Sequence, residues 1–415
     1  MRASGESKDQ KVAAVSFEDI VAARERIRDT IYLSPCPYSE SVSRMTGKRV
    51  YFKLENLQMT GSFKERGALN RLLTLGGEER RRGVIAASAG NHGMAVAFHA
   101  QRLGIPATIV MPLQAPLIKV TSVRRYGARA HLFGDDFDAA LREAVRLGNE
   151  EGLTMIHGFD DPAVVSGQGT LGLELLEQNP NLVAVVVSVG GGGLIAGLAL
   201  AVKKLKPAVR VIGVQAERIP AMKVALAEGK VVEVPPAATI ADGIAVRSVG
   251  KVPFELVQRY VDDVVTVSEG EIANAVLLLL EIEKTVAEGA AAAPLAALVN
   301  QKAVFAGEQV ALVVSGGNID VNVMSRIIDK GLIQEGRLVR VSVIIPDRPG
   351  TLARLAQRIG DQGANILDIH HVRGFGEIGL GETEVEIVLE TTGPEHILRI
   401  SETLAADGFR SRTDP

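Results

Sequence analysis

Lys64 sits where a lysine can do chemistry. It lies between a Gly61-Ser62 entry and a Gly67-Ala68 exit, ahead of an apolar run at Ala68, Leu69, Leu72 and Leu73. That spacing predicts a turn opening a helix, with Ser62 as N-cap and Glu65, three residues on, closing a capping box. The positive end of a helix dipole disfavours a protonated amine. An amine whose pKa is lowered attacks carbonyls and forms Schiff bases. Taken alone, Lys64 reads as a solvated residue on an exposed first turn. It is followed, however, by three more small-residue loops: Ser88-Ala89-Gly90-Asn91-His92-Gly93, Gly190-Gly191-Gly192-Gly193-Leu194 and Ser315-Gly316-Gly317-Asn318. Each comes directly after a short apolar run.

Those runs read as strands that position the loops. Val50 to Glu55 alternates and delivers the chain to the Lys64 turn. Gly83 to Ala87, Ala107 to Met111 and Ala130 to Phe133 alternate with helical patterns. The rhythm repeats in Val183 to Val189, Val209 to Val214, Asp263 to Val267 and Val310 to Val314. Ser16 with Asp19, and Ser268 with Glu271, have capping-box spacing, the second opening a helix through Glu283. Such βαβα order predicts parallel sheets covered by helices. In open α/β sheets ligands bind beyond the carboxyl ends of the strands. The three glycine-containing loops fall at such ends and the Lys64 turn follows a strand closely, so one shared site is expected.

Past Asp329 the pattern changes. Residues 331–337 read as a linker between a first domain, 1–330, and a second, 338–415. Val339, Val341, Val343 and Ile345 alternate as a strand ending in Asp347-Arg348-Pro349-Gly350. An amphipathic helix follows (Leu352, Leu355, Ala356, Ile359), then strands at 365–372 and 384–389, a helix marked by Ile397, Ile400 and Leu404, and a short strand near Phe409. The order βαββαβ is the ferredoxin-like plan.

Four successive glycines after a buried strand let backbone N–H groups converge on an anion at a helix start, and phosphate is the natural guest. Gly191-x-Gly193-x-x-Ala196, with Glu217 roughly twenty residues on, also satisfies a dinucleotide fingerprint. That reading leaves the lysine turn and the other two loops unexplained. Bulk properties narrow the field further. A net charge of -3, 4% aromatics and no Trp argue against nucleic acid as partner. One cysteine, Cys36, excludes an intrachain disulfide and fits a cytoplasmic home. The apolar runs 183–187 and 275–280 are far shorter than the ~20 residues of a spanning helix. Residues 1–11 are polar and read as a loose tail rather than a secretory signal. His370-His371 are strand neighbours facing opposite sides and do not read as a metal pair. Arg80-Arg81-Arg82 reads as a solvated helix end.

Together and in this order, the four loops resemble those of the fold-type II pyridoxal-phosphate enzymes, the tryptophan-synthase-β-like group, over about residues 15 to 330. Ser-Phe-Lys-x-Arg-Gly-Ala with Ser-Ala-Gly-Asn-His is similar to the threonine and serine dehydratase branch. The resemblance implies an α/β fold of two open parallel-sheet subdomains with pyridoxal 5'-phosphate between them. It implies that Lys64 carries the cofactor, with Phe63 beside it. Asn91 would meet the cofactor 3'-oxygen, and Gly190, Gly191, Gly192, Gly193 and Leu194 would bind the phosphate. Ser315 would face the pyridine nitrogen, and Glu288 matches a position near the cofactor. Ser88, Ala89, Gly90, Asn91 and His92 would hold the substrate carboxylate, largely through backbone N–H groups. The implied reaction is β-elimination of L-threonine to 2-oxobutanoate and ammonia, and of L-serine to pyruvate.

Residues 338–415, through Asp347-Arg348-Pro349-Gly350, resemble an ACT domain, an amino-acid-sensing module. By that resemblance Asp347, Pro349, Gly350, Leu352 and Asn365 are candidate effector contacts, isoleucine is a candidate effector, and a homo-oligomer (dimer or tetramer) is expected. Neighbouring families differ at specific residues. Serine racemases are similar but place a second base where Ala89 stands, and their metal site pairs two acids where this chain has Glu217 and Lys223, so no metal is expected. A non-catalytic amino-acid sensor is the alternative of a different class, and the four intact loops argue against it.

Overall fold

Valine-rich runs buried on both sides build the centre of the first unit. In the computed structural model the described residues are 15–372 and 379–414; the polar tail expected at 1–11 lies outside them. The chain divides into two compact units that meet at Ile319 and Asp320.

The first unit holds two sheets. Strands β1 (Tyr38–Ser39), β2 (Arg49–Leu54), β7 (Ala184–Ser188), β8 (Arg210–Ala216), β9 (Asp263–Val267) and β10 (Gln309–Val314) form one, in the order β1-β2-β10-β7-β8-β9. Strands β3 (Val84–Ala87), β4 (Ala107–Met111), β5 (Arg129–Leu132) and β6 (Thr154–Met155) form the other, in the order β5-β4-β3-β6. Every pairing is parallel except that of β1 with β2. Each residue of β7 is buried, the signature of a parallel strand covered by helices on both faces. The helix Gly289–Val299 is small and apolar all round and lies inside, with Ala290 to Ala293 nearly inaccessible. The capping boxes at Ser16 and Ser268 form as their spacing predicts. The second helix ends at Glu281, two residues before the expected Glu283.

Two expectations change. At the Lys64 turn the helix is Lys64–Leu73, its N-cap is Phe63, and no side chain caps it. Ser62 is held instead in a bridge with Gly316, and the Glu65 carboxylate turns back to accept from the Thr60 N–H. Its other oxygen lies 3.2 Å from His99 Nε2. The stretch 331–337 is also not a simple linker. The helix Val321–Gln334, capped by Asp320, runs through its first half and is grouped with the second unit, so the division falls about one helix earlier than 330. Gly331 lies on the buried face of that helix.

The second unit carries an antiparallel sheet of β11 (Leu338–Pro346), β12 (Asn365–Val372), β13 (Glu382–Glu390) and β14 (Arg410–Asp414), ordered β12-β13-β11-β14. With helices Thr351–Asp361 and Pro394–Ala406 this is the ferredoxin-like βαββαβ plan. The last strand pairs with β11 from Ile344 opposite Arg410 to Arg340 opposite Asp414. Alternation explains the one-sided core: Val385, Ile387 and Leu389 point in while Glu384 and Glu386 on the same strand are only partly covered. His370 and His371 on β12 are exposed, and His370 Nε2 meets Asp368 at 2.8 Å.

Candidate active site

The loops expected to share a site do share one. β2 ends at Leu54 and a short 3-10 turn, Glu55–Leu57, leads into the lysine turn. The Phe63 N–H donates to Ser315 O at 3.0 Å and the Gly317 N–H to Gly61 O at 2.9 Å, so the lysine turn and the loop after β10 are laced together. Lys64 Nζ donates to Gly158 O at 2.8 Å and lies 5.1 Å from the Phe63 ring centroid. Burial lowers its pKa to about 8, and the Glu288 carboxylate opposes that shift. Desolvation by burial is the largest cause.

Asn91, first residue of the helix Asn91–Leu103 beyond β3, donates through Nδ2 to both oxygens of Glu288 at 3.0 Å. Its Oδ1 accepts from Asn318 Nδ2 at 2.9 Å. Glu288 is buried, and desolvation with the nearby charge of Asp242 pushes its pKa up to about 7. Ser315 Oγ is buried 3.3 Å from Ser188 Oγ. The loop after β3 is tightly drawn: the Gly90 N–H donates to Ser88 Oγ at 3.1 Å, and Ala89 and Gly90 are partly open. His92 turns away from it. Its Nε2 meets Ile156 O at 2.8 Å in the interior, and burial takes its pKa down to about 3. The imidazole is therefore neutral and is no proton source near neutral pH.

Gly192, at φ +96°, caps the helix Gly193–Leu205. The first N–H groups of that helix have no partner within it and form the ready-made anion cradle of a helix start. The cradle is closed from behind. A Cβ on Gly191 would stand 2.4 Å from the Phe159 ring, and one on Gly192 2.6 Å from Met222 Cε. Phe159 follows Gly158, whose carbonyl holds Lys64, so the cradle and the lysine are fixed by one segment. A buried lysine of lowered pKa beside an anion cradle and an amide fits a phosphorylated aldehyde cofactor.

Comparison with known proteins agrees. The family described as pyridoxal-phosphate dependent enzymes matches residues 27–316. The chain belongs to that family. Its second unit matches the ACT domain over residues 339–404. An L-threonine ammonia-lyase of Thermotoga maritima is 48% identical over 398 residues, 96% of this chain and 99% of that one. Among solved structures, a T.th. threonine deaminase superposes with TM-score 0.70 at 41% identity, covering 74% of this chain and 99% of its own. Maize serine racemase gives TM-score 0.73 at 35% identity over 78% of this chain and 99% of its own. As a pyridoxal-phosphate dependent enzyme with an ACT domain, the chain has the fold and the cofactor its loops predict.

Sequence reading missed the segment His157-Gly158-Phe159-Asp160. His157 Nδ1 accepts from the Asp160 N–H at 2.8 Å and its ring packs edge-on against Phe159 at 4.6 Å. Asp160 Oδ1 accepts from the Val252 N–H at 2.9 Å. The two-residue strand β6 before it is too short to mark a loop by pattern. Ser188 and Asn318 were visible only as strand end and motif end. In the second unit, Asp347, Pro349 and Gly350 lie exposed between β11 and the next helix, whose N-cap is Gly350 at φ +88°. Leu352 packs on the core, and Asn365 opens β12 with Nδ2 3.3 Å from Glu390 Oε2. No helix among the described residues is long and apolar enough to cross a membrane.

Proposed function

We propose that this chain is a threonine ammonia-lyase. It would convert L-threonine to 2-oxobutanoate and ammonia, and L-serine to pyruvate and ammonia. The observation that carries this is Lys64, its amine drawn down to about 8, beside Asn91 and Ser315 and a glycine cradle. Bound pyridoxal phosphate supplies the electron sink for the pair left at the substrate Cα. The chain's residues do the rest. The cradle Gly190 to Leu194 would hold the phosphate, Lys64 would anchor the cofactor, and the Asn91 amide would meet its 3'-oxygen. The loop from Ser88 to His92 would hold the substrate carboxylate through backbone N–H groups other than those of Ser88 and Gly90, which donate to Val110 O and Ser88 Oγ, since the His92 ring is committed to the interior. Lys64 Nζ would also take the substrate Cα proton, a role that suits an amine whose pKa burial lowers. The Cβ–O bond would break as the leaving oxygen takes up a proton, equal in number to the one removed from Cα, so that it departs as water, and that water is balanced by the one that later releases ammonia. Ser315, a neutral hydroxyl, cannot hold a full positive charge on a facing ring nitrogen as an aspartate does. That favours prompt loss of a β-leaving group over a long-lived carbanion.

Ala89 offers no hydroxyl to return a proton on the opposite face, so elimination is favoured over racemisation. Isoleucine acting through the ACT domain, a dimer or tetramer, and a cytoplasmic setting that suits the single cysteine complete the proposal. The test is 2-oxo acid formation by the purified holoenzyme from L-threonine and L-serine, with and without isoleucine. Product from both substrates, suppressed by isoleucine, is expected. A bound cofactor with no 2-oxo acid from either would overturn the substrate assignment.

A further inference from the structure

Asn318 makes contacts that the reaction scheme does not use, and they carry a direction. Asn318 Nδ2 donates to the backbone carbonyl of Thr60 at 2.7 Å. A carbonyl oxygen only accepts, so this bond fixes which end of the Asn318 amide is nitrogen. The same Nδ2 donates its second proton to Asn91 Oδ1 at 2.9 Å. The orientation of Asn91 follows: its oxygen is taken and its Nδ2 turns to Glu288, whose carboxylate accepts at 3.0 Å through each oxygen. The chain of bonds starts at the backbone of the lysine turn, passes through the loop after β10 and ends on the loop after β3.

Two glycines make room for it. A Cβ on Gly61 would stand 2.6 Å from Asn318 Oδ1, and Gly61 also sits at φ +76°, a conformation that side chains resist. A Cβ on Gly316 would stand 2.8 Å from Glu288 Oε1. Gly61 and Gly316 are thus explained by the approach of its polar side chains.

We propose that Asn318 is a positioning residue that fixes the Asn91 amide as a donor. With its oxygen engaged by Asn318, Asn91 can offer only N–H to a neighbouring oxygen anion. This rests on the reading that Asn91 meets the cofactor 3'-oxygen. Asn318→Asp keeps the shape and removes both donated protons, which frees the Asn91 amide to flip and present its oxygen.

The test uses the full-length holoenzyme and reads the visible absorption of the lysine-bound cofactor across pH, together with the cofactor dissociation constant. Asn318→Asp is expected to shift the absorption and its titration, and to weaken cofactor binding about tenfold. Asn91→Ala is expected to do the same, and the double variant Asn91→Ala/Asn318→Asp to be no worse than Asn91→Ala alone, because the two act as one unit. Asn318→Ala, which removes both donated protons without adding a charge, is expected to reproduce the spectral shift and serves if the aspartate variant does not fold. A normal spectrum and titration in Asn318→Asp, or effects that multiply in the double variant, would overturn the inference while leaving Asn91 in place. A normal spectrum in Asn91→Ala would overturn the Asn91 reading itself, and the inference with it.

Discussion

At Glu288 the cost of burial is written as a pH dependence. Its folded pKa, about 7, lies above the ordinary 4.5 because desolvation and Asp242 disfavour the anion. Between those values the folded state binds more protons than the unfolded one, so this group's contribution is full below about pH 4.5 and is lost as pH rises through 7. Glu288→Gln cannot ionise. Thermal melts of the two proteins from pH 5 to 8 should show the variant gaining on the wild type as pH rises; a constant gap would contradict the protonation. The lowered pKa of Lys64 was legible from its place between small residues, but its largest cause, burial, was not. The sequence suggested a helix dipole and a capping box, whereas burial does the work and Glu65 is spent on Thr60 and His99. His92 shows the same limit in reverse: its loop was legible, but the turn of its ring toward Ile156 O depends on packing far along the chain.

Among the elements, the helix that begins at Lys64 is held in register by a buried set of charges. Arg66 Nε and Nη2 donate to Glu55 at 2.7 and 2.8 Å, and its Nη1 and Nη2 donate to Glu174 at 2.6 and 2.8 Å. Lys53 Nζ meets Glu174 at 2.7 Å, and all four side chains are buried. These groups tie the helix to β2 and to the helix Pro162–Gln178. Such a set adds little net stability over apolar residues, but breaking it strands an uncompensated charge. Arg66→Met should destabilise the protein by about 3–5 kcal/mol in urea unfolding, through Glu55 and Glu174. A change within the range of ordinary surface substitutions, about 0.5 kcal/mol, would contradict that account. Strands were legible because parallel strands leave unbroken valine runs and the last domain's strands alternate. The two-residue strands β1 and β6 left no such pattern, and the segment after β6 that positions Lys64 went unread with it.

On the scale of the molecule, the family match ends at residue 316 and the first compact unit at Ile319, while the T.th. threonine deaminase is covered over 99% of its own length by 74% of this chain. The first unit therefore holds the parts that a catalytic domain needs. A chain ended at Ile319 is expected to keep cofactor binding and 2-oxo acid formation and to lose any response to isoleucine, checked by the same assay at several isoleucine concentrations. Retained sensitivity would place the effector site outside the ACT domain. The two-domain plan was legible from the change of rhythm after Asp329. The boundary itself was not, because the helix Val321–Gln334 continues the amphipathic pattern of the helices before it.

The most direct measurement is to find the residue that carries the cofactor. Holoenzyme reduced with borohydride, which locks the cofactor to its lysine, is digested and its peptides are weighed. The phosphopyridoxyl mass is expected on Lys64 and on no other lysine, and is expected to disappear in Lys64→Ala together with turnover. The mass on a different lysine, or 2-oxobutanoate formed by Lys64→Ala at the wild-type rate, would contradict this.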